Sequence, residues 1–290
     1  MTCALQDAII QPDYTKAVIK AALCTPRGMR MVWCVVEDEY DQNVFIRFFN
    51  PDTTKILTSR DEEGKRGCEN VENIVSEIGD EKPMCHIFGI RDCDYTKYDS
   101  SYHCPKNVFR TDRRDIEMMM METEPVKKDL DSWDLNFSQK IAECENPVRY
   151  LGYLRIYNDV NNIGCRFNKR IRIQLVWNQN THSIDKNWET IQRDKFIAGC
   201  AALTPPRNVT ETDINDFISQ KQLKAESQYN ICRGHDMIQL LQNAMIQTNV
   251  YNETTISNRI SLSYSVADFK NTSLCKDIES WAQGENVTVM

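Results

Sequence analysis

The chain has 290 residues, a formal net charge of −7, 41% hydrophobic and 27% charged side chains, and only 10 glycines and 9 prolines. It is long enough to bury its own core without disulfide or metal staples. Its composition excludes a fibrous or disordered chain and argues against long flexible linkers, while the net charge excludes overall attraction to nucleic acid or anionic lipid and leaves room for a local basic groove.

In chain order, Asp13 to Leu23 has helix-forming composition and a helical apolar period, so an opening helix is expected. Met31 to Val36 is a short apolar run rich in β-branched and aromatic residues, the pattern of a strand buried on both faces of a parallel sheet. It ends in Glu37-Asp38-Glu39-Tyr40-Asp41, and a helix follows until Asn50-Pro51-Asp52 stops it. A second strand is expected near Lys55 to Thr58. Glu69 to Ile78 carries Val71, Ile74, Val75 and Ile78 at amphipathic-helix spacing, with Gly79-Asp80 as its stop. Met84 to Ile90 reads as a strand ending in Arg91-Asp92-Cys93-Asp94. Asn107 to Arg110 suggests a short fourth strand and Asp112 to Glu122 a helix, whose run Met118 to Met121 serves as core or interface filler.

This alternation predicts an α/β fold with a mostly parallel sheet flanked by helices over residues 1–126. The polar stretch at Val126-Lys127-Lys128 marks the expected boundary with a mainly helical C-terminal region, 127–290. There, Pro147 to Val160, Thr190 to Leu203, Glu211 to Ala225 and Gly234 to Thr248 read as helices and Arg170 to Trp177 as a strand.

The twelve cysteines form no CxxC pair, and the cluster Cys85, His86, Cys93, His103, Cys104 matches no zinc spacing. The first residues lack the basic and apolar regions of a secretory signal, and no apolar run approaches the ~20 residues that span a bilayer. A reducing, cytoplasmic setting with no membrane partner is the expectation.

Glu37 follows one apolar strand; Asp92 and Asp94 follow another. Ligands of open parallel sheets collect at the carboxyl ends of the strands, so three acids from two such ends can converge. Convergent carboxylates repel unless a cation lies between them, and hard oxygen donors suit Mg²⁺ or Mn²⁺, which polarise phosphate oxygens. In an extended Asp92-Cys93-Asp94 the two aspartates share a face. Glu117 is a further candidate ligand. The plainer alternative is that such acids are solvated turn residues.

A strand ending in Glu37-x-x-x-Asp41, followed by one ending in Asp92-x-Asp94, resembles the TOPRIM signature of topoisomerases, primases and OLD-family nucleases. The order Val-Val-Glu-Asp-Glu-Tyr-Asp, Gly-Ile-Arg-Asp-Cys-Asp, Thr-Asp-Arg-Arg-Asp-Ile-Glu and Cys-Arg-Gly-His-Asp is similar to a TOPRIM-related family of phage-defence effector nucleases, over roughly residues 30 to 245. The resemblance implies a metal-dependent endonuclease acting on RNA (tRNA included) or DNA, with an ABC-type ATPase partner; it admits a homodimer. Glu37 would act as acid/base or metal ligand, and Asp92 and Asp94 would hold Mg²⁺. Asp41, His235 and Asp236 would contribute near phosphate, the C-terminal part returning His235 toward the carboxylates. Many TOPRIM sequences have Gly after the Glu, where this chain has Asp38.

The run Arg166-Phe167-Asn168-Lys169-Arg170-Ile171-Arg172 combines four cations with an aromatic. It is either a stripe tracking a nucleic-acid backbone, with Phe167 on a base, or a solvated surface segment. Arg110, Arg113 and Arg114 bring positive charge close to Glu117. No P-loop and no nucleophile elbow is present, so nucleotide hydrolysis would fall to a partner. Two rival functions use the same residues: a metal-dependent phosphatase or nucleotide-processing enzyme, and a non-catalytic adaptor for an ATPase.

Overall fold

A computed structural model describes residues 14–61, 64–133, 136–167, 171–245 and 252–290. They fall into two compact units. The first takes the chain up to Cys93, then 103–112 and 265–290; the second takes 94–102 and 113–264.

The first unit is built on a four-stranded sheet of β1 (Val32–Val36), β2 (Thr54–Thr58), β3 (Ile87–Arg91) and β4 (Val108–Arg110) in the order β2-β1-β3-β4. Every pairing is parallel. All five residues of β1 and of β3 are buried, as their unbroken apolar runs anticipate for strands covered on both faces. Helix α1 (Tyr14–Ala22) precedes β1, and α2 (Glu39–Phe45) and α3 (Cys68–Glu81) run between the strands.

Strand alternation divides the sheet's two faces. Trp33, Val35, Ile87 and Val108 meet Ile19 of α1 and Val71, Ile74, Val75 and Ile78 of α3 in one apolar core. On the other face Phe88 packs against Phe49, Phe109 and Trp281. Trp281 lies on α13 (Ser273–Gly284), and the preceding α12 (Val266–Lys270) brings Phe269 onto Phe45, Phe48 and Phe49. The last residues also bind here: Asn50 N–H donates to the Val289 carbonyl at 2.9 Å. The α/β architecture expected from the sequence is therefore what the structure shows.

The second unit is mainly helical, from α4 (Ile116–Met121), α5 (Glu124–Trp133) and α6 (Phe137–Val160) through α7 (Trp188–Ala201), α8 (Glu211–Gln220), α9 (Gln228–Ile231), α10 (Gly234–Ala244) and α11 (Glu253–Ser263). The 24-residue α6 carries Pro147 inside it and buries Val148, Tyr150, Leu151, Leu154 and Ile156. Burial around so much of its circumference marks a central helix rather than a surface one. Met118 to Met121 are all buried, as filler.

Several boundaries differ from the sequence reading. Helix α3 runs through Gly79-Asp80 to Glu81, because a single glycine costs only about 1 kcal/mol against the burial of Ile78 and Val75. The helix expected from Asp112 starts at Ile116, since Asp115 is extended and caps it by accepting from Met118 N–H. The expected strand to Trp177 is a 3-10 turn at Ile173–Val176, and only Trp177–Asn178 (β5) is extended, paired antiparallel with Ser183–Ile184 (β6). Residues 126–128 lie inside α5. The expected helix start at Asp13 and end at Thr248 lie outside the described residues.

Gly89 sits where α3 crosses β3, and a Cβ there would lie 2.6 Å from Val71 and 3.0 Å from Val75. Gly89→Ala is expected to cost about 1–3 kcal/mol by overpacking. Urea unfolding measures this, and an unchanged midpoint would contradict the packing described.

Candidate functional site

In a sheet ordered β2-β1-β3-β4 the chain leaves β1 to one side for β2 and returns past it to β3, so the topological switch point falls between β1 and β3. The crevice outside their carboxyl ends is where such sheets bind ligands. Glu37 directly follows β1 and Asp92 directly follows β3. The Asp92 backbone N–H donates to Glu37 Oε1 at 2.8 Å, so the two strand ends are joined through the carboxylate itself.

Neighbouring residues fix this edge. Ser59, just past β2, donates its hydroxyl to the Glu37 carbonyl at 2.9 Å and accepts from Gly67 N–H at 3.2 Å, which ties β1, β2 and the start of α3 together. Cys68 begins α3, with its sulfur and a Glu37 oxygen within 4.8 Å. Buried Arg91 pairs with Glu72 of α3 and donates from Nε to the Asp92 carbonyl at 2.9 Å. Cys93 N–H donates to Thr111 Oγ1 at 2.9 Å. Ser59 and Cys68 escaped the sequence reading because neither lies in an acidic motif.

Asp38 and Asp41 have structural assignments. Asp38 is the N-cap of α2, accepting from Tyr40 N–H at 2.8 Å and Asp41 N–H at 3.2 Å. Aspartate suits this place because it is among the preferred N-cap residues. Asp41 lies buried in the first turn of α2.

Asp94 begins the second unit. Its φ is +45°, so the chain turns there, and the extended alternation proposed for Asp92-Cys93-Asp94 does not hold. Asp94 N–H donates to the Arg114 carbonyl at 2.8 Å, and its carboxylate pairs with Arg114 Nη2 at 2.9 Å.

Arg114 opens a buried polar network. It pairs with Asp115 at 2.7 Å, and its guanidinium lies 4.8 Å from the Tyr95 ring centre. Asp115 accepts from Met118 N–H at 3.0 Å and from Gly234 N–H at 2.8 Å, which brings the Arg-Asp-Ile-Glu and Arg-Gly-His-Asp segments together. Gly234 fits because it has no side chain: a Cβ would lie 2.4 Å from Glu117 Cβ and 2.8 Å from Asp115 Oδ1. Burial first, and then the Asp115 charge, push the Glu117 carboxyl up to about 8. Burial likewise raises Asp159, beside Asp94, Arg155 and Arg114.

Asp236 is buried and pairs with Arg155 at 2.9 Å. His235 is half exposed on α10, its Nε2 2.7 Å from Gln239 and its Nδ1 3.8 Å from Glu253. The Phe167 ring, read from sequence either as a stacking partner for a base or as part of a solvated surface segment, stacks on Phe196 at 5.7 Å with the Arg155 guanidinium 4.6 Å from its centre. Arg166 and Arg172 are exposed; Lys169 and Arg170 lie outside the described residues. Arg113 makes a two-point ion pair with Glu122 at 2.6 and 2.8 Å. Among the described residues, Cys85, His86, Cys93, His103 and Cys104 do not gather as metal donors.

A scan against protein-family models gives no match, and a search of curated proteins gives none.

Two predictions follow from the polar network. Asp115→Ala leaves Arg114 and Gly234 N–H without this acceptor and is expected to cost about 3–5 kcal/mol, measured by denaturant unfolding; a loss under about 1 kcal/mol would contradict the buried network. Glu117 carries the pH signature. Its raised value means the folded chain holds a proton that the unfolded chain releases between 4.5 and about 8, so its contribution to stability is present at low pH and lost as pH rises through that window. In EDTA, Glu117→Gln should therefore gain stability relative to the parent as pH rises from about 5 to about 8; a pH-independent difference would contradict the assignment.

Proposed function

We propose that the protein is a metal-dependent phosphodiesterase, a nuclease whose acidic site lies at the carboxyl ends of β1 and β3. The observation that carries this reading is the Glu37 carboxylate at the switch point, held by the Asp92 N–H at 2.8 Å. Asp94 follows two residues after Asp92, and its role as a further ligand rests on the resemblance of the Asp92-x-Asp94 segment to the TOPRIM signature.

The donor set fits a hard divalent cation. Carboxylate oxygens of Glu37, Asp92 and Asp94 suit Mg²⁺ or Mn²⁺, whereas the Cys68 thiol is a soft donor that such ions leave aside. When bound, the ion supplies charge neutralisation at phosphate and a more acidic water. Asp92 and Asp94 would hold it. Glu37, kept in one orientation by the Asp92 N–H, accepts the proton of the attacking water. The N-terminus of α3 opens beside Glu37, and its amide dipoles favour an anionic phosphate there.

The polymer is RNA, tRNA included, or DNA. That assignment, the phage-defence setting and an ABC-type ATPase partner rest on the resemblance of the four motif segments to TOPRIM-related effectors. No described helix is long and apolar enough to cross a membrane. The described cysteines are free thiols, which is consistent with a reducing compartment.

Labelled total tRNA and plasmid DNA, incubated with the purified chain and Mg²⁺, Mn²⁺ or EDTA, test the reading. Cleavage should require the metal, and Glu37→Ala should lower it about 10²–10⁴-fold. Hydrolysis of small phosphate esters with both polymers intact would point instead to a phosphatase. Inertness even with an ATPase partner present would leave an adaptor.

A further inference from the structure

A second concave site lies wholly in the helical unit, built from residues that the metal site does not use. It is a cavity of about 290 Å³ lined by Asn146, Arg149, Tyr150, Tyr153, Trp188, Glu189, Asn215, Ile218 and Lys224. Its main wall is one stripe of α6: positions 146, 149, 150 and 153 are spaced three, four and seven apart, so they share a helix face. Trp188 and Glu189 open α7, Asn215 and Ile218 come from α8, and Lys224 sits on the 3-10 turn Leu223–Ala225.

Three aromatic rings form a continuous surface there. Tyr150 meets Tyr153 edge to face at 6.4 Å and Trp188 at 5.8 Å. Tyr150 and Tyr153 are almost buried, and Trp188 is partly exposed at the rim. Arg149 braces the Lys224 turn by donating to the Lys224 carbonyl at 3.0 Å and also to the Glu226 carbonyl. The Lys224 side chain is exposed at the mouth.

We infer that this pocket seats one unstacked base of a single-stranded nucleic acid, with Lys224 at the adjoining phosphate. The Trp188 ring, partly exposed at the rim, offers a base a face for stacking, and the exposed Lys224 beside it takes the backbone charge, the combination that single-strand binders use. Asn146 and Asn215 offer amide donors and acceptors to base edges. The volume is near the lower end of ligand pockets, about 300–1,000 Å³, and suits one base and its sugar.

Fluorescence anisotropy with 5′-labelled ten-nucleotide oligouridine RNA, oligothymidine DNA and a ten-base-pair duplex, all in EDTA, tests the inference. Saturable binding of single strands is expected, in RNA alone or in RNA and DNA alike, with the duplex at least about tenfold weaker. Trp188→Ala should weaken binding about tenfold through lost stacking. Lys224→Glu, a change at an exposed side chain that leaves the fold intact, should weaken it comparably, and circular dichroism confirms that both variants are folded. No binding of single strands, equal binding of the duplex, unchanged affinity in both variants, or saturable binding of choline in place of the oligonucleotides would overturn the assignment. Because the assay contains no metal, its outcome is independent of the cleavage reaction.

Discussion

The order of four parallel strands constrains everything at the candidate metal site. Parallel neighbours require crossovers, and here one runs from β1 out to β2 and the next from β2 back past β1 to β3, which leaves a gap between β1 and β3 at the strands' carboxyl ends. Glu37 and Asp92 stand at that gap. Their connection is a hydrogen bond from backbone to carboxylate, so it orients Glu37 without needing a second side chain. Ser59 and Gly67 lock the adjoining turn, and the buried Arg91–Glu72 pair fixes the end of β3 against α3. The site is thereby set on rigid elements, which the catalytic role proposed for Glu37 requires.

The helical unit has a corresponding anchor in Asp115. One buried carboxylate caps α4, neutralises the adjoining Arg114 and receives the first N–H of α10, so two segments more than a hundred residues apart share one acceptor. Its neighbour Gly234 is required by contact with Glu117 Cβ, not by a left-handed backbone. The Arg-Asp-Ile-Glu and Arg-Gly-His-Asp segments thus have a packing reason to occur together, apart from any chemistry at phosphate. Asp236 likewise has a structural partner in Arg155.

The α/β character was legible because β1 and β3 are unbroken apolar runs and α3 has its apolar residues on one face. The placement of Glu37 and Asp92 at strand ends was legible for the same reason. The geometry at Asp94 was not, since a positive φ in an aspartate is fixed by what its N–H reaches, here the distant Arg114 carbonyl. Nor does any local pattern announce that 265–290 pack into the first unit; that depends on Phe269 and Trp281 finding Phe48 and Phe88. Phe167 looked available for stacking because its neighbours in sequence are cations, while the ring it meets, Phe196, is far along the chain. The aromatic pocket on α6 was hidden similarly: its stripe is visible as spacing, but Trp188 and Lys224 arrive from other elements.

The most direct measurement is calorimetric titration of the metal-free protein with Mn²⁺, beside Glu37→Ala, Asp92→Asn and, as a control, Asp52→Asn at an exposed position away from the strand ends. The account predicts saturable binding that is lost or weakened at least about tenfold in the first two variants, as carboxylate ligands of a hard cation require, and unchanged in the third. Equal Mn²⁺ affinity in all four proteins, or none in any of them, would contradict a cation site at the carboxyl ends of β1 and β3.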